Sequence, residues 1–254
     1  VGATIEAKLD SVKTCSNQRS RNPPMATRRS APAPAPRPYH HGDLRQAMLQ
    51  AASQLIEEQG LENFTLRECA RRAGVSHGAP AHHFGDVRGL LTALVTEGFE
   101  QLHATMLAHE AAAAPDAYAQ LVANGQAYVA FAHAHRGRFQ LMFRRDRVHA
   151  DDPTLQQAGR ATYGRLQHHI AAVLAAARAG PALQDAKALL AWTVVHGLST
   201  LSLEDGLFAE RGKMPAHGVA ALLDTFMVML RPGLEAAEPQ PPPQRRSVSR
   251  ARSG

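Results

Sequence analysis

Residues 65–84 read Thr-Leu-Arg-Glu-Cys-Ala-Arg-Arg-Ala-Gly-Val-Ser-His-Gly-Ala-Pro-Ala-His-His-Phe. Few folds accept that order other than a helix, a tight turn and a second helix. Thr65 is a good N-cap, and Glu68 three residues on completes a capping box. Leu66, Ala70 and Ala73 fall on one helical face. Ala70 is small where two crossing helices would touch. Gly74 ends the first helix, where a left-handed residue is wanted. Val75 plugs the space under the turn, and Ser76 is placed to cap the second helix. Pro80 falls in that helix's first turn, where a missing N–H matters least. An ordinary antiparallel pair of surface helices would share the periodicity. The agreement of every local signal favours the unit that lays its second helix in the DNA major groove.

The flanks extend the pattern. Upstream, an amphipathic helix over about 43–59 carries Leu44, Met48, Ala51, Leu55 and Ile56 on its inner face, and Gly60 closes it. Phe64 leads into Thr65. Downstream, Phe84 ends the second helix as a core residue, and a long helix starts near Asp86 with Leu90, Leu91, Leu94 and Val95 apolar. With these flanks, residues 39–103 resemble the TetR family of bacterial transcriptional regulators, "Gly-Val-Ser-His-Gly-Ala-Pro" followed by "His-His-Phe" being similar to that family's signature segment. Two positions depart from it. The family's usual phosphate-contacting tyrosine is Ala81 here, and its frequent helix-opening lysine is Val87, with Arg88 beside it.

The resemblance implies an all-α chain. Residues 39–85 would form a three-helix DNA-binding head and 86–235 a helical ligand-binding and dimerisation domain. It implies a homodimer that reads a palindromic double-stranded operator and acts as a repressor released by a small apolar ligand. The DNA-contacting residues would be Arg45, Thr65, Arg67, Ser76, His77, Gly78, Ala79, His82, His83 and Arg88. Gly78 and Ala79 would let the helix approach closely, Ala79 or Ala81 would touch a thymine methyl, and Arg45, Arg67 and Arg88 would clamp the backbone. A ligand-binding or adaptor protein whose helix–turn–helix no longer reads DNA is the alternative, favoured by Ala81, Val87 and the head's charge.

Residues 104–230 carry a second resemblance. Trp192, His196 and Gly197 look like the Trp-His-Gly feature of one TetR C-terminal subclass, and residues 128–143 are similar to it as well. Helices are expected near 86–110, 116–135, 138–146, 153–179, 183–209 and 215–231. Pro115, Pro153 and Pro181 mark boundaries, and Gly180 is expected to stop a helix. Phe99, Leu121, Tyr128, Phe131, Phe139, Met142, Phe143 and Trp192 would line an apolar cavity. Such residues at helical spacing fill cores more often than pockets, and the resemblance is what raises the pocket. The last two helices hold more apolar surface than one thin layer buries, which points to a four-helix bundle with a second copy. Trp192, His196, Gly197, Leu201, Leu222, Leu223 and Phe226 would form that seam.

Charge alone argues poorly for DNA binding. The 254 residues carry a formal +6. Residues 1–38 hold seven basic and two acidic residues and residues 236–254 four and one, so the body between is at −2. The head at 39–103 has five arginines against eight acids. Both tails, the first with Ala-Pro repeats, read as disordered basic arms. Met25 is the expected translation start, Val1 then marking a non-AUG or misassigned one. No apolar run reaches transmembrane length and residues 1–38 lack a signal-peptide core, so a cytoplasmic protein is expected. Cys15 and Cys69 do not suggest a disulfide framework. There is no Gly-rich phosphate loop, no Gly-x-Ser-x-Gly and no Cys-x-x-Cys, so no enzyme is expected and no cofactor. The 14 histidines include the adjacent pairs His40–His41, His82–His83 and His168–His169. Neighbours on a helix point apart, so no metal site is expected.

Overall fold

The computed structural model describes residues 41–76, 78–204 and 216–236, and these contain α-helices and short 3-10 turns and no strand. His77, the tails at 1–38 and 237–254, Met25 and the expected helical residues 205–209 and 215 lie outside the described residues.

The head comprises α1 (His41–Gln59), α2 (Leu66–Arg72) and α3 (Ala79–Phe84). Met48, Ala51, Ala52, Leu55 and Ile56 bury one face of α1. Gly60, at φ 78°, turns the chain out of that helix, and its N–H bonds the Ile56 carbonyl. The Thr65 hydroxyl caps α2 by accepting from Glu68 N at 3.3 Å. The capping box is only half made, because the Glu68 carboxylate turns to Arg71 instead, at 2.6 and 2.7 Å. A bidentate charged pair outweighs one further cap on an exposed turn. At the other end of α2, Gly74 takes φ 69°, Val75 N bonds Ala70 O and Gly74 N bonds Arg71 O. That is a Schellman closure, and it fixes the angle at which α3 leaves. Cys69 is fully buried, its thiol donating to Met48 O at 3.4 Å. Burial pushes its pKa up to about 11, so it stays an unreactive thiol at neutral pH.

Six further helices follow: α4 (Val87–Ala112), α5 (Ala117–Ala134), α6 (Arg136–Met142), α7 (Pro153–Ala176), α8 (Gln184–Leu203) and α9 (Ala216–Glu235). The aspartates Asp86, Asp116 and Asp152 cap α4, α5 and α7. One hydrophobic core runs without a break from Met48 in α1 to Leu234 in α9. At Gly89 an added Cβ would lie 1.9 Å from the Phe84 carbonyl oxygen, so α3 and α4 join at a place only glycine allows. At Gly137 it would lie 2.9 Å from Ile56 O and Ile56 Cγ2, so α6 rests on the backbone of α1.

Several helix ends differ from the sequence expectation. The helix expected over 138–146 is α6, which ends at Met142 ahead of a 3-10 turn at Arg145–Arg147, and α8, expected to reach 209, closes at Leu203 with Glu204 extended. The stop of α7 is not Gly180, which has ordinary extended geometry at φ −69°. It is Arg178, at φ 54°, with Ala179 N bonded to Leu174 O and Arg178 N to Ala175 O. The closure is decided by where Val173 and Leu174 must pack, not by where a glycine is available. The last helix runs past 231 and through Pro232 to Glu235. Pro232 removes one helical donor. The buried ammonium of Lys187 in α8 secures the end, donating to the carbonyls of Leu234 and Ala236 at 2.8 and 2.7 Å.

Candidate functional site

The turn from α2 to α3 sets which side chains of α3 face out. Pro80 is buried and Phe84 half-buried, so the inner stripe is 80, 83 and 84. Ser76, Gly78, Ala81 and His82 are exposed. The helix therefore separates the adjacent histidines: His82 faces solvent and His83 is half-buried. Ala79 is half-buried too. Ser76 does not cap α3; the helix starts from Gly78 with no side-chain cap, and the Ser76 carbonyl accepts from Ala79 N at 3.1 Å. Pro80 already presets the first turn, which lessens the need for one.

The basic residues around this surface are mostly engaged. Arg71 pairs with Glu68 and Arg72 with Glu58. Arg45 lies 5.8 Å over the Phe84 ring and 3.7 Å from Glu97. Arg88, expected to grip DNA backbone, bonds the Val148 carbonyl and ties α4 to the loop ahead of α7. Among the described residues, Arg67 is the head arginine with neither ion pair nor hydrogen bond, and it is exposed beside Thr65. The head's acids are consumed structurally as well. Glu57 accepts from Gly137 N and Arg138 N at 2.8 and 3.0 Å, capping α6, and Glu62 holds Arg144 and Arg147.

The second feature is a partly open cavity of about 210 Å³ lined mainly by α4, α5, α7, α8 and α9. Phe99, Leu121, Tyr128, Phe143 and Trp192, five of the residues proposed from sequence for a pocket, lie on its wall with Tyr163 and Met227 among others. Trp192 stacks on His196 at 5.1 Å and meets Tyr163 edge-on at 6.2 Å. Tyr128 OH is 2.8 Å from His196 Nδ1. Burial raises the Tyr128 hydroxyl above its ordinary range and lowers the His196 imidazole below its own, so both are neutral at pH 7.

The third feature is an apolar outer face. Leu189, Leu190 and Leu201 on α8 are exposed, and Val228 and Met229 on α9 are 70% and 73% exposed. A soluble chain seldom leaves that much apolar surface uncovered on two neighbouring helices.

Comparison with known proteins addresses the same two regions. A family model described as "Bacterial regulatory proteins, tetR family" matches residues 48–94, and one described as "Tetracyclin repressor-like, C-terminal domain" matches residues 121–226. The chain belongs to the TetR family. A protein of unknown function from Rhodococcus sp. RHA1 is similar at 35% identity and TM-score 0.62, over 76% of this chain and 98% of that one. A regulatory protein of the tetR family from Rhodococcus RHA1, at 20% identity and TM-score 0.58 over 77% and 98%, shares the fold. The HTH-type transcriptional regulator BetI of Stenotrophomonas maltophilia is 35% identical over 77 residues. That match takes in 30% of this chain and 39% of BetI, so the chain spans about two fifths of that curated relative.

Several expected positions in this TetR-family chain are corrected by packing. Phe131 and Met142 are buried core residues off the cavity wall: Phe131 packs on His135 at 4.9 Å, and Met142 fills the hollow over Gly98. Phe139 is likewise packed away, against Tyr128 at 5.5 Å. Leu223 is fully buried within its own chain, over Gly125, and cannot belong to an outer seam. Trp192 and His196 point into the aromatic cluster at the cavity and away from that face. Leu222 and Phe226 are half-buried against the core. Gly197 opens on free space, and Leu201 is exposed.

Sequence reasoning missed a buried polar cluster. Glu110 on α4 takes Asn124 Nδ2 on α5 at 2.9 Å, His169 Nε2 on α7 at 2.8 Å, and Arg165. Burial alone would raise the Glu110 carboxyl, but the hydrogen bonds from Arg165, Asn124 and His169 outweigh it and hold it below its ordinary value. Burial lowers His169, which is therefore neutral at pH 7 and donates through Nε2. The one usable signal was spacing: Arg165 and His169 stand four apart on one face of α7. No group of three or more His, Cys, Asp or Glu among the described residues is arranged to hold a metal ion.

Proposed function

We propose that this TetR-family chain is a homodimeric, sequence-specific DNA-binding repressor released by a small-molecule effector. The reading is carried by one observation: a helix–turn–helix with an exposed face and a partly open apolar cavity share one continuous core. Ser76, Gly78 and His82 form the proposed reading face, with Ala81 able to meet a thymine methyl. His77 belongs to the same proposal from its place in the sequence. Thr65 and Arg67 are the proposed backbone contacts at the start of α2. Leu190, Val194, Gly197 and Leu201 make one stripe along α8, and with Val228 and Met229 of α9 they form the proposed dimer seam. Two copies would then read half-sites roughly 34–36 Å apart.

Release needs a geometric link between cavity and head. Phe143, on the cavity wall, directly follows α6, and α6 rests on α1 through Gly137 and Glu57. An effector that favours a different α6 position lowers DNA affinity by its own preference between the two forms. The Trp192–His196 stack keeps the Trp-His-Gly subclass as the proposed C-terminal type. No described helix is long and apolar enough to cross a membrane, and a cytoplasmic location is part of the proposal.

The test is capture of genomic fragments by the purified full chain in about 0.15 M salt, followed by sequencing. One enriched palindrome is the expected outcome, with affinity falling steeply as salt rises. Diffuse recovery would overturn sequence-specific binding and favour the adaptor reading.

A further inference from the structure

Two of the hydrogen-bonding groups on the cavity wall, Tyr128 and Thr162, are committed to protein partners. Tyr128 OH is held by His196. Thr162 Oγ1 donates to the carbonyls of Phe99 and Ala158, at 3.1 and 3.0 Å. Asn124 differs. It lines the cavity and is 3% exposed. Its Nδ2 donates to Glu110 Oε1. A carboxylate only accepts, so the amide is fixed with nitrogen toward Glu110 and oxygen away from it. His169 and Arg165 hold Glu110 from the far side and lock that orientation. Among the described residues, no donor reaches Asn124 Oδ1. The oxygen is not sealed in protein but keeps accessible surface, and a bound molecule that supplies a donor satisfies it on an otherwise apolar wall.

Resting on the effector reading above, we propose that the effector is a small, neutral, flat and mostly apolar molecule whose single hydroxyl or N–H donates to Asn124 Oδ1. Size follows from volume. A cavity of about 150 Å³ holds benzene, and scaling by volume to the 210 Å³ here, in a pocket that is not fully closed, admits about eight to ten heavy atoms. Shape follows from the walls, since Phe99, Phe143, Tyr163 and Trp192 present ring surfaces. Neutrality follows from charge. An anion would enter a wall with no cation in it and meet the Glu110 carboxylate behind Asn124. A cation would find that carboxylate already bonded on both oxygens.

Trp192 is the chain's single tryptophan and lines the cavity, so its fluorescence reports occupancy. The full chain is titrated with p-cresol, toluene and p-toluate, with calorimetry as a second readout. The expected result is p-cresol binding at least tenfold more tightly than toluene, with no binding of p-toluate. In Asn124→Leu the preference disappears, through weaker p-cresol binding alone. In Ala191→Phe, which fills the cavity from a buried wall position, neither neutral probe binds. Equal affinity for toluene and p-cresol in the unaltered protein overturns the donor requirement and leaves the cavity reading standing. Preference for p-toluate overturns neutrality. Binding of none of the three overturns both this inference and the effector reading.

Discussion

Replacing Gly137 with alanine tests whether α6 is seated on the head as tightly as the geometry says. An alanine Cβ there would lie 2.9 Å from Ile56 O and Ile56 Cγ2, and 3.0 Å from Ile56 C. The Ile56 carbonyl cannot swing aside freely, because it accepts from Gly60 N at 3.0 Å. Nor can α6 lift freely. Glu57 holds its first amides, and the Arg138 guanidinium bonds Ser53 Oγ and Gln101 Oε1, each at 2.7 Å. Forcing a methyl into such a contact costs about 1–3 kcal/mol, and a glycine-to-alanine change in a helix returns up to about 1 kcal/mol. The net expectation is a loss of up to about 2 kcal/mol, or up to roughly 8 °C in Tm for a domain of this size. Gly164→Ala is the matched control. It lies in α7 with nothing within 4 Å of its added Cβ, so it should gain about 0.5–1 kcal/mol. Thermal unfolding of the two variants beside the unaltered protein decides the matter. A Gly137→Ala Tm above that of the unaltered protein would refute the close approach, as would shifts of the same size and sign in both variants.

The remaining expectations need one measurement each. Arg178→Gly removes a non-glycine residue from φ 54° and should stabilise the protein by about 1 kcal/mol; a lower Tm would show that the Arg178 side chain matters more than its backbone. Burial lowers the imidazoles of His133, His135, His169 and His196 below their ordinary value. The unfolded chain therefore binds more protons than the native one once pH drops below about 6.5. Stability should be flat above that and fall beneath it, so the urea midpoint at pH 5.5 should lie under that at pH 7.5; an equal or higher midpoint contradicts the buried state of these rings. Leu190→Glu with Val228→Glu places charges on the exposed α8–α9 face and should convert the proposed dimer to monomer in sedimentation without loss of helicity; an unchanged dimer would move the seam elsewhere. His82→Ala should weaken operator binding by tenfold or more, in the range of one base contact, with His83→Ala within about twofold; comparable losses from the two would place the reading face elsewhere on α3.

What could be read from the residues was whatever the chain decides locally. The Thr65 cap, the Gly74 turn and the burial of Met48, Leu55 and Ile56 depend on neighbours within a few positions, and the sequence states those neighbours. The misplacements share a different cause. His82 and His83 look equivalent as letters, and Pro80 on the inner side of α3 separates them. Leu222, Leu223 and Phe226 look like one apolar stripe, yet the hollow at Gly125, from a helix about a hundred residues earlier, swallows Leu223 alone. Phe131 and Phe143 are equally aromatic, and only the rotation of α5 against the end of α6 puts one in the core and the other on the cavity wall. The Glu110 cluster is the extreme case, because its four members come from three helices and no window of sequence contains them. That distribution also has a consequence for function. A head built from local signals can keep its shape while cavity contacts drawn from five helices change. In this chain the DNA-facing geometry and the chemistry of the proposed effector can therefore vary separately, coupled through the contacts of α4 and α6 with the head, among them Gly89 against Phe84 and Gly137 and Glu57 between α6 and α1.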